Sequence, residues 1–186
     1  MPRVGLSTAS VVGAAADLAD REGLDGLTLA GIASAVGVRT PSLYNHVQSL
    51  DDVRRRLALR GTQELTEVLR DAAVGRAGDD ALIAMAHAYR SYAQRHPGRY
   101  AAAQRAPDEA DAELAGAAGA AVAVLLAILR GYGLQGDDAI HAARAVRSAL
   151  HGFVSLEASG GFGLPVDLDA SFERMVRALA QGLRER

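Results

Sequence analysis

The stretch Thr28–Val47, TLAGIASAVGVRTPSLYNHV, sets the tightest constraint on how this chain folds. It holds two short apolar stripes with a glycine between them. Leu29, Ile32, Ala33 and Val36 recur at helical spacing, as do Leu43 and Val47. The Thr28 hydroxyl can cap the first helix. Gly37 ends that helix and lets the chain reverse through a positive φ. The spacing predicts a second short helix over 38–47, with Thr40 as N-cap and Pro41 at its first helical position, where its missing N–H costs nothing. Two short helices joined by a glycine-containing turn make a helix-turn-helix unit.

The rest of the sequence also reads as helix. Alanine occurs 39 times in 186 residues and aromatics make up only 4%, a composition that suits packed helices better than sheet. A first helix is expected over Ser7–Glu22, with Ser7 as its cap. Ser49 followed by Asp52 resembles a variant capping box and starts a fourth helix near Leu50 that runs to about Val74. Further helices are expected over Asp80–Arg95, Arg99–Gln104, a long apolar stretch ending at Arg130, Asp137–Ala158 and Asp169–Arg184. The uncharged run Leu114–Leu129 is short for a membrane span and reads as a buried central helix. The expected fold is all-α, with a helix-turn-helix domain over 1–60 and a second helical domain over 61–186.

Several function classes drop out. The chain has no cysteine, which excludes disulfides, thiol nucleophiles and Cys-ligated metal centres. There is no glycine-rich phosphate loop, no His-Glu-x-x-His and no Gly-x-Ser-x-Gly, so no catalytic residue, cofactor or metal site is expected. His87 and His96 are nine residues apart and would not share a helix face. Met1–Ala16 lacks a charged start followed by a strong apolar core, so no signal peptide is expected and the protein is placed in the cytoplasm. All 20 basic residues are arginine. Net charge is −2, but the first 60 residues carry seven Arg against six acids. That weak asymmetry permits a nucleic-acid surface at the N-terminal end.

The outward positions of the second short helix sharpen that reading. Arg39, Thr40, Ser42, Tyr44, Asn45 and His46 lie opposite Leu43 and Val47, and no acid occurs between Gly37 and Leu50. A slim helix with such a face can enter a major groove while its partner helix braces it across the backbone. Here the sequence resembles the tetracycline-repressor (TetR) family of bacterial transcription regulators. The resemblance rests on Thr28-Leu29-x-x-Ile32-Ala33, Val36-Gly37-Val38, Leu43-Tyr44-x-His46-Val47 and the helix beginning over Leu50–Val53, within residues 7–60. It implies a repressor that binds a palindromic double-stranded DNA operator as a homodimer and is released by a small molecule. By position it implies DNA contacts from Thr28, Arg39, Thr40, Pro41, Ser42, Tyr44, Asn45 and His46. Arg39, Thr40, Ser42 and Asn45 would read base edges, and Thr28, Tyr44 and His46 would position phosphates. The family often carries Lys at one or both positions held here by Gln48 and Leu50, and Arg54, Arg55 and Arg56 could compensate.

The C-terminal half resembles the His-Gly branch of the same family. The matching residues are His96-Pro97-Gly98-x-Tyr100, His151-Gly152-Phe153-x-x-Leu156-Glu157, the glycine loop after residue 158 and Phe172. His87, Tyr89, Tyr92, Tyr100, Leu125 and Phe153 are candidates to line an effector pocket, with plain core as the competing reading. His87 and His151 read by default as satisfied core histidines. Glu157 reads either as a dimer-rim charge or as a polar anchor in the pocket. The last two helices present long apolar stripes, so Leu150, Val154, Phe172, Met175 and Leu179 are candidates for a dimer interface built as a four-helix bundle.

Overall fold

The computed structural model describes residues 6–108 and 110–185. The first five residues of the stretch read for a signal peptide lie outside them. The described residues form helices α1 (Thr8–Glu22), α2 (Leu29–Ala35), α3 (Thr40–Leu43), α4 (Leu50–Ala73), α5 (Gly78–Arg95), α6 (Pro97–Ala103), α7 (Ala112–Arg130), α8 (Gly136–Ala158) and α9 (Leu168–Arg184). Their starts follow local chemistry. Ser7 and Ser10 close a reciprocal capping box on α1. At α4 the Asp52 N–H donates to Ser49 Oγ at 3.0 Å, and the Gln48 N–H donates to Asp52 Oδ2 at 2.9 Å. Asp167 caps α9 by accepting from the amides of Asp169 and Ala170.

The chain divides into two compact units. The first comprises residues up to Glu64 together with Arg95–Ala117; the second comprises Leu65–Gln94 and everything from Ala118 onward. The expected division near residue 60 therefore meets a different partition, because α6 and the first turns of α7 pack with the N-terminal helices. In the first unit α1 lies against α2 and α6, and α2 against α3. Its core is built by Val11, Ala15, Leu18, Ile32, Leu43 and Leu57 with their neighbours. Gly98 explains the close seat of α6: a Cβ there would stand 2.2 Å from the Ala19 carbonyl carbon. Arg99 secures the seat, its amide donating to Asp20 Oδ1 at 2.9 Å and its guanidinium reaching Asp17 at 2.5 Å.

In the second unit α8 packs on α9. Its core takes Leu82, Met85 and Tyr92 from α5, Val146, Leu150 and Val154 from α8, and Phe172, Val176 and Leu183 from α9. The Tyr132 hydroxyl donates to Asp79 at 2.8 Å, and Arg184 also pairs with that carboxylate. Burial, reinforced by the Asp79 carboxylate, pushes the Tyr132 phenol well above its usual range.

Two local expectations are corrected. The third helix is shorter than 38–47, and its cap is Arg39 without a side-chain bond, so Pro41 is its second residue. Pro fits there because the first amides of a helix lack internal partners in any case. Beyond Leu43 the chain tightens into turns, with the amides of His46 and Val47 both reaching the Leu43 carbonyl. The run Leu114–Leu129 is helical, but it is not a buried central helix. The most apolar window of α7 has a mean hydropathy of 2.1, and only 17% of it is buried. The helix is apolar on every side, and one stripe suffices to face a core.

Candidate nucleic-acid interface

The turn between α2 and α3 is set by Gly37 at φ +71°. A side chain there would meet a steric penalty in the left-handed region. On one side Leu43 (0% exposed) and Val47 (2%) enter the core and anchor α3. On the other side Arg39, Pro41, Tyr44 and Asn45 are exposed, and Thr40, Ser42 and His46 are half-buried. Tyr44 leaves 57% of its surface open, an unusual position for a large ring without a partner. All eight sequence candidates are thus assigned a place, seven of them on or beside α3. Thr28 stands apart at the α2 cap, where its Oγ1 accepts from the Gly31 amide at 3.1 Å. The capping hydroxyl keeps its own proton for donation.

One contributor was missed. Thr8 Oγ1 donates to the His46 carbonyl at 3.1 Å, tying the end of the α3 segment to the start of α1. No local signal marks it, because the two residues are 38 positions apart. The arginine run is mostly committed within the chain. Arg55 makes paired bonds of 2.6 Å to Asp111 and a third bond to Glu113, and Arg56 pairs with Asp52 at 2.8 Å. These two guanidiniums therefore already have carboxylate partners within the chain. The Arg55 contact, helped by the Leu114 amide, holds the Asp111 carboxyl below its usual range, and Arg105 does the same for Asp51.

The six effector candidates are divided between the two compact units. Tyr100 belongs to the first unit and the other five to the second. Tyr89, Tyr92 and Phe153 are buried, Leu125 is half-buried, and His87 is exposed with its Nε2 2.8 Å from Glu173. His87 is therefore no buried core histidine. Phe153 belongs to a cluster around a residue that sequence reading overlooked, Arg90. Its guanidinium binds Glu157 through two bonds of 2.9 and 2.5 Å and Asp169 at 2.8 Å. It also lies 4.9 Å from the Phe172 ring centroid and 5.5 Å from that of Phe153. The Phe153 and Phe172 rings meet edge-on at 5.0 Å. Glu157 thus has a definite role as the partner of a buried charge, and Arg90 holds its carboxyl low. The Phe153–Glu157 spacing of four put both side chains on one helical face, which was the available signal.

The dimer candidates are corrected in part. Leu150, Val154 and Phe172 are buried within the single chain, so their surface is already used there. Met175 and Leu179 remain half-exposed. The open stripe of α8 is Ala145, Ser148, Gly152 and Leu156, and that of α9 includes Ala178 and Gly182.

Comparison with known proteins accords with this geometry. The family model described as tetracyclin repressor-like, C-terminal domain, matches residues 82–179. An uncharacterized HTH-type transcriptional regulator of Mycobacterium tuberculosis is 46% identical over 97% of this chain and 83% of its own length. Another from Bacillus subtilis is 38% identical over 98% of this chain and 95% of its own. Among solved structures, a TetR protein of Acinetobacter baumannii in complex with minocycline superposes with a TM-score of 0.71 at 25% identity, covering 97% of this chain and 98% of that one.

Proposed function

The chain belongs to the TetR family of transcriptional regulators, and from that premise we propose that it is a ligand-responsive repressor acting as a homodimer on a palindromic operator. What supports this is the two-sided build of the segment over residues 39–47: Leu43 and Val47 are sunk in the core while the acid-free opposite side is exposed at Arg39, Pro41, Tyr44 and Asn45 and half-buried at Thr40, Ser42 and His46. Arg39 is suited to guanine and Asn45 to adenine in the major groove, with Thr40 and Ser42 reading neighbouring edges. Tyr44, His46 and the Thr28 hydroxyl are suited to phosphates. With Arg55 and Arg56 committed internally, phosphate neutralisation is modest and the salt dependence of binding is shallow for the family.

Two copies pair through the open faces of α8 and α9, where Ala145, Gly152, Ala178 and Gly182 let helices approach closely and exposed Leu156 supplies apolar area. Met175 and Leu179 flank this seam. An effector acts by binding better to a dimer whose recognition helices are not one duplex turn, about 34–36 Å, apart. α4 contributes to both compact units and is the natural carrier of that change. The protein works in the cytoplasm, held at the nucleoid by DNA. α7 serves within the protein rather than in a membrane, because the transcription regulators it resembles align along nearly the whole chain.

The test is selection from a random duplex pool by the full-length protein. Enrichment of a palindrome with half-sites about one turn apart is expected. A pool that stays random, or an enriched site without two-fold symmetry, overturns the proposal.

A further inference from the structure

A groove of about 430 Å³ opens in the second unit between the last turn of α4, the start of α5 and the C-terminal half of α7. None of the effector candidates above lines it. Its walls are apolar, with Val74, Ala81, Val124, Ala127 and Ile128 as the main contributors. Val74 leaves 67% of its surface in water at the mouth. The charged residues among the lining are Arg70 and Arg76, and no acid lines the groove. Asp79, close by in sequence, is spent on Tyr132 and Arg184.

Among the described residues, neither arginine has the carboxylate partner that eight others in the chain have: Arg55, Arg56, Arg60, Arg90, Arg99, Arg105, Arg177 and Arg184. Arg76 Nη1 donates to the Ala72 carbonyl at 2.9 Å, which fixes the guanidinium beside the last turn of α4 and leaves its other N–H groups to donate. The volume is that of a small-molecule site. The lining offers no hydroxyl, amide or aromatic side chain to read a sugar or a base.

We infer that this groove binds an amphipathic organic carboxylate, its hydrocarbon body against Val124, Ala127 and Ile128 and its head group on Arg70 and Arg76. A planar carboxylate suits the guanidinium fork, and an unadorned chain suits walls that carry only hydrocarbon. A consequence for DNA release rests on the ligand-responsive reading above; binding itself does not.

Isothermal titration of the full-length protein with decanoate, without DNA, tests the inference. Saturable binding is expected, with decylamine and decanol weaker by about tenfold or more. The pair Arg70→Gln and Arg76→Gln, both exposed, should weaken decanoate by about the same factor while helix content by circular dichroism stays unchanged. Ala127→Trp should fill the groove and abolish binding; if that variant fails to fold, the arginine pair carries the test. Absence of saturable binding, equal binding of decylamine or decanol, or undiminished binding in the arginine pair overturns the inference. Decanoate binding that leaves operator affinity unaltered removes the regulatory reading and keeps the groove.

Discussion

At residue scale the DNA contacts proposed for the α3 segment divide into readers and positioners, and the two should fail differently. Arg39→Ala should cost about 1–3 kcal/mol at the selected operator and relax base preference at one position in each half-site. Tyr44→Phe, which removes only the hydroxyl, should weaken all duplexes alike. Titration of a selected and a scrambled duplex separates the outcomes. Arg90 is a second residue whose role is energetic rather than chemical. Its charge is sunk among Phe153, Phe172 and two carboxylates. Glu157→Ala leaves that charge short of its principal partner and should destabilise by about 3–5 kcal/mol in urea unfolding. Replacing Arg90 and Glu157 together by Met and Leu should cost far less, because the desolvation of two ions disappears with them.

At the scale of elements, α6 decides how the DNA-binding helices are held. Its Gly98 touches the backbone of α1, and Gly61 meets the Arg99 carbonyl, where a Cβ would stand 2.5 Å away. Gly98→Ala should push α6 off α1 and lower the melting temperature, read by thermal denaturation; an unchanged melting temperature would mean that the seat is loose. This seat also marks the limit of sequence reading. Helix starts were legible because caps are local: Ser7, Thr28 and the Ser49–Asp52 pair each act within four residues. The exposed side of residues 39–46 was legible because the apolar Leu43 and Val47 had to enter the core, although the helix itself stops at Leu43. The packing of α6 and the Thr8 anchor depend on residues far apart in the chain, so no local pattern carries them. The burial of Leu150, Val154 and Phe172 was misread for a related reason. An apolar stripe says that a helix face is covered, not whether its own chain or a second copy covers it.

For the whole molecule, acid stability follows from its ion pairs. Asp51, Asp111 and Glu157 are held below their ordinary values of 3.8, 3.8 and 4.5 by Arg105, Arg55 and Arg90 respectively. Such groups bind protons more readily unfolded than folded. Their stabilisation is therefore complete above those ordinary values and drains away as pH falls through the lowered folded-state values. A melting temperature that is flat from about pH 6 to 8 and declines below about pH 4 is expected. Assembly is the other whole-molecule property. On the proposed pairing, Gly152→Glu, on the open face of α8, should yield a monomer in analytical ultracentrifugation and lose operator binding while keeping helix content. The central claim, that the short helix after Gly37 reads DNA, is tested most directly by the double substitution Tyr44→Ala and Asn45→Ala, titrated against the selected palindrome by fluorescence anisotropy. Specific binding should vanish while the sedimentation profile and thermal unfolding match the unmodified protein. Operator affinity equal to that of the unmodified protein would contradict the account.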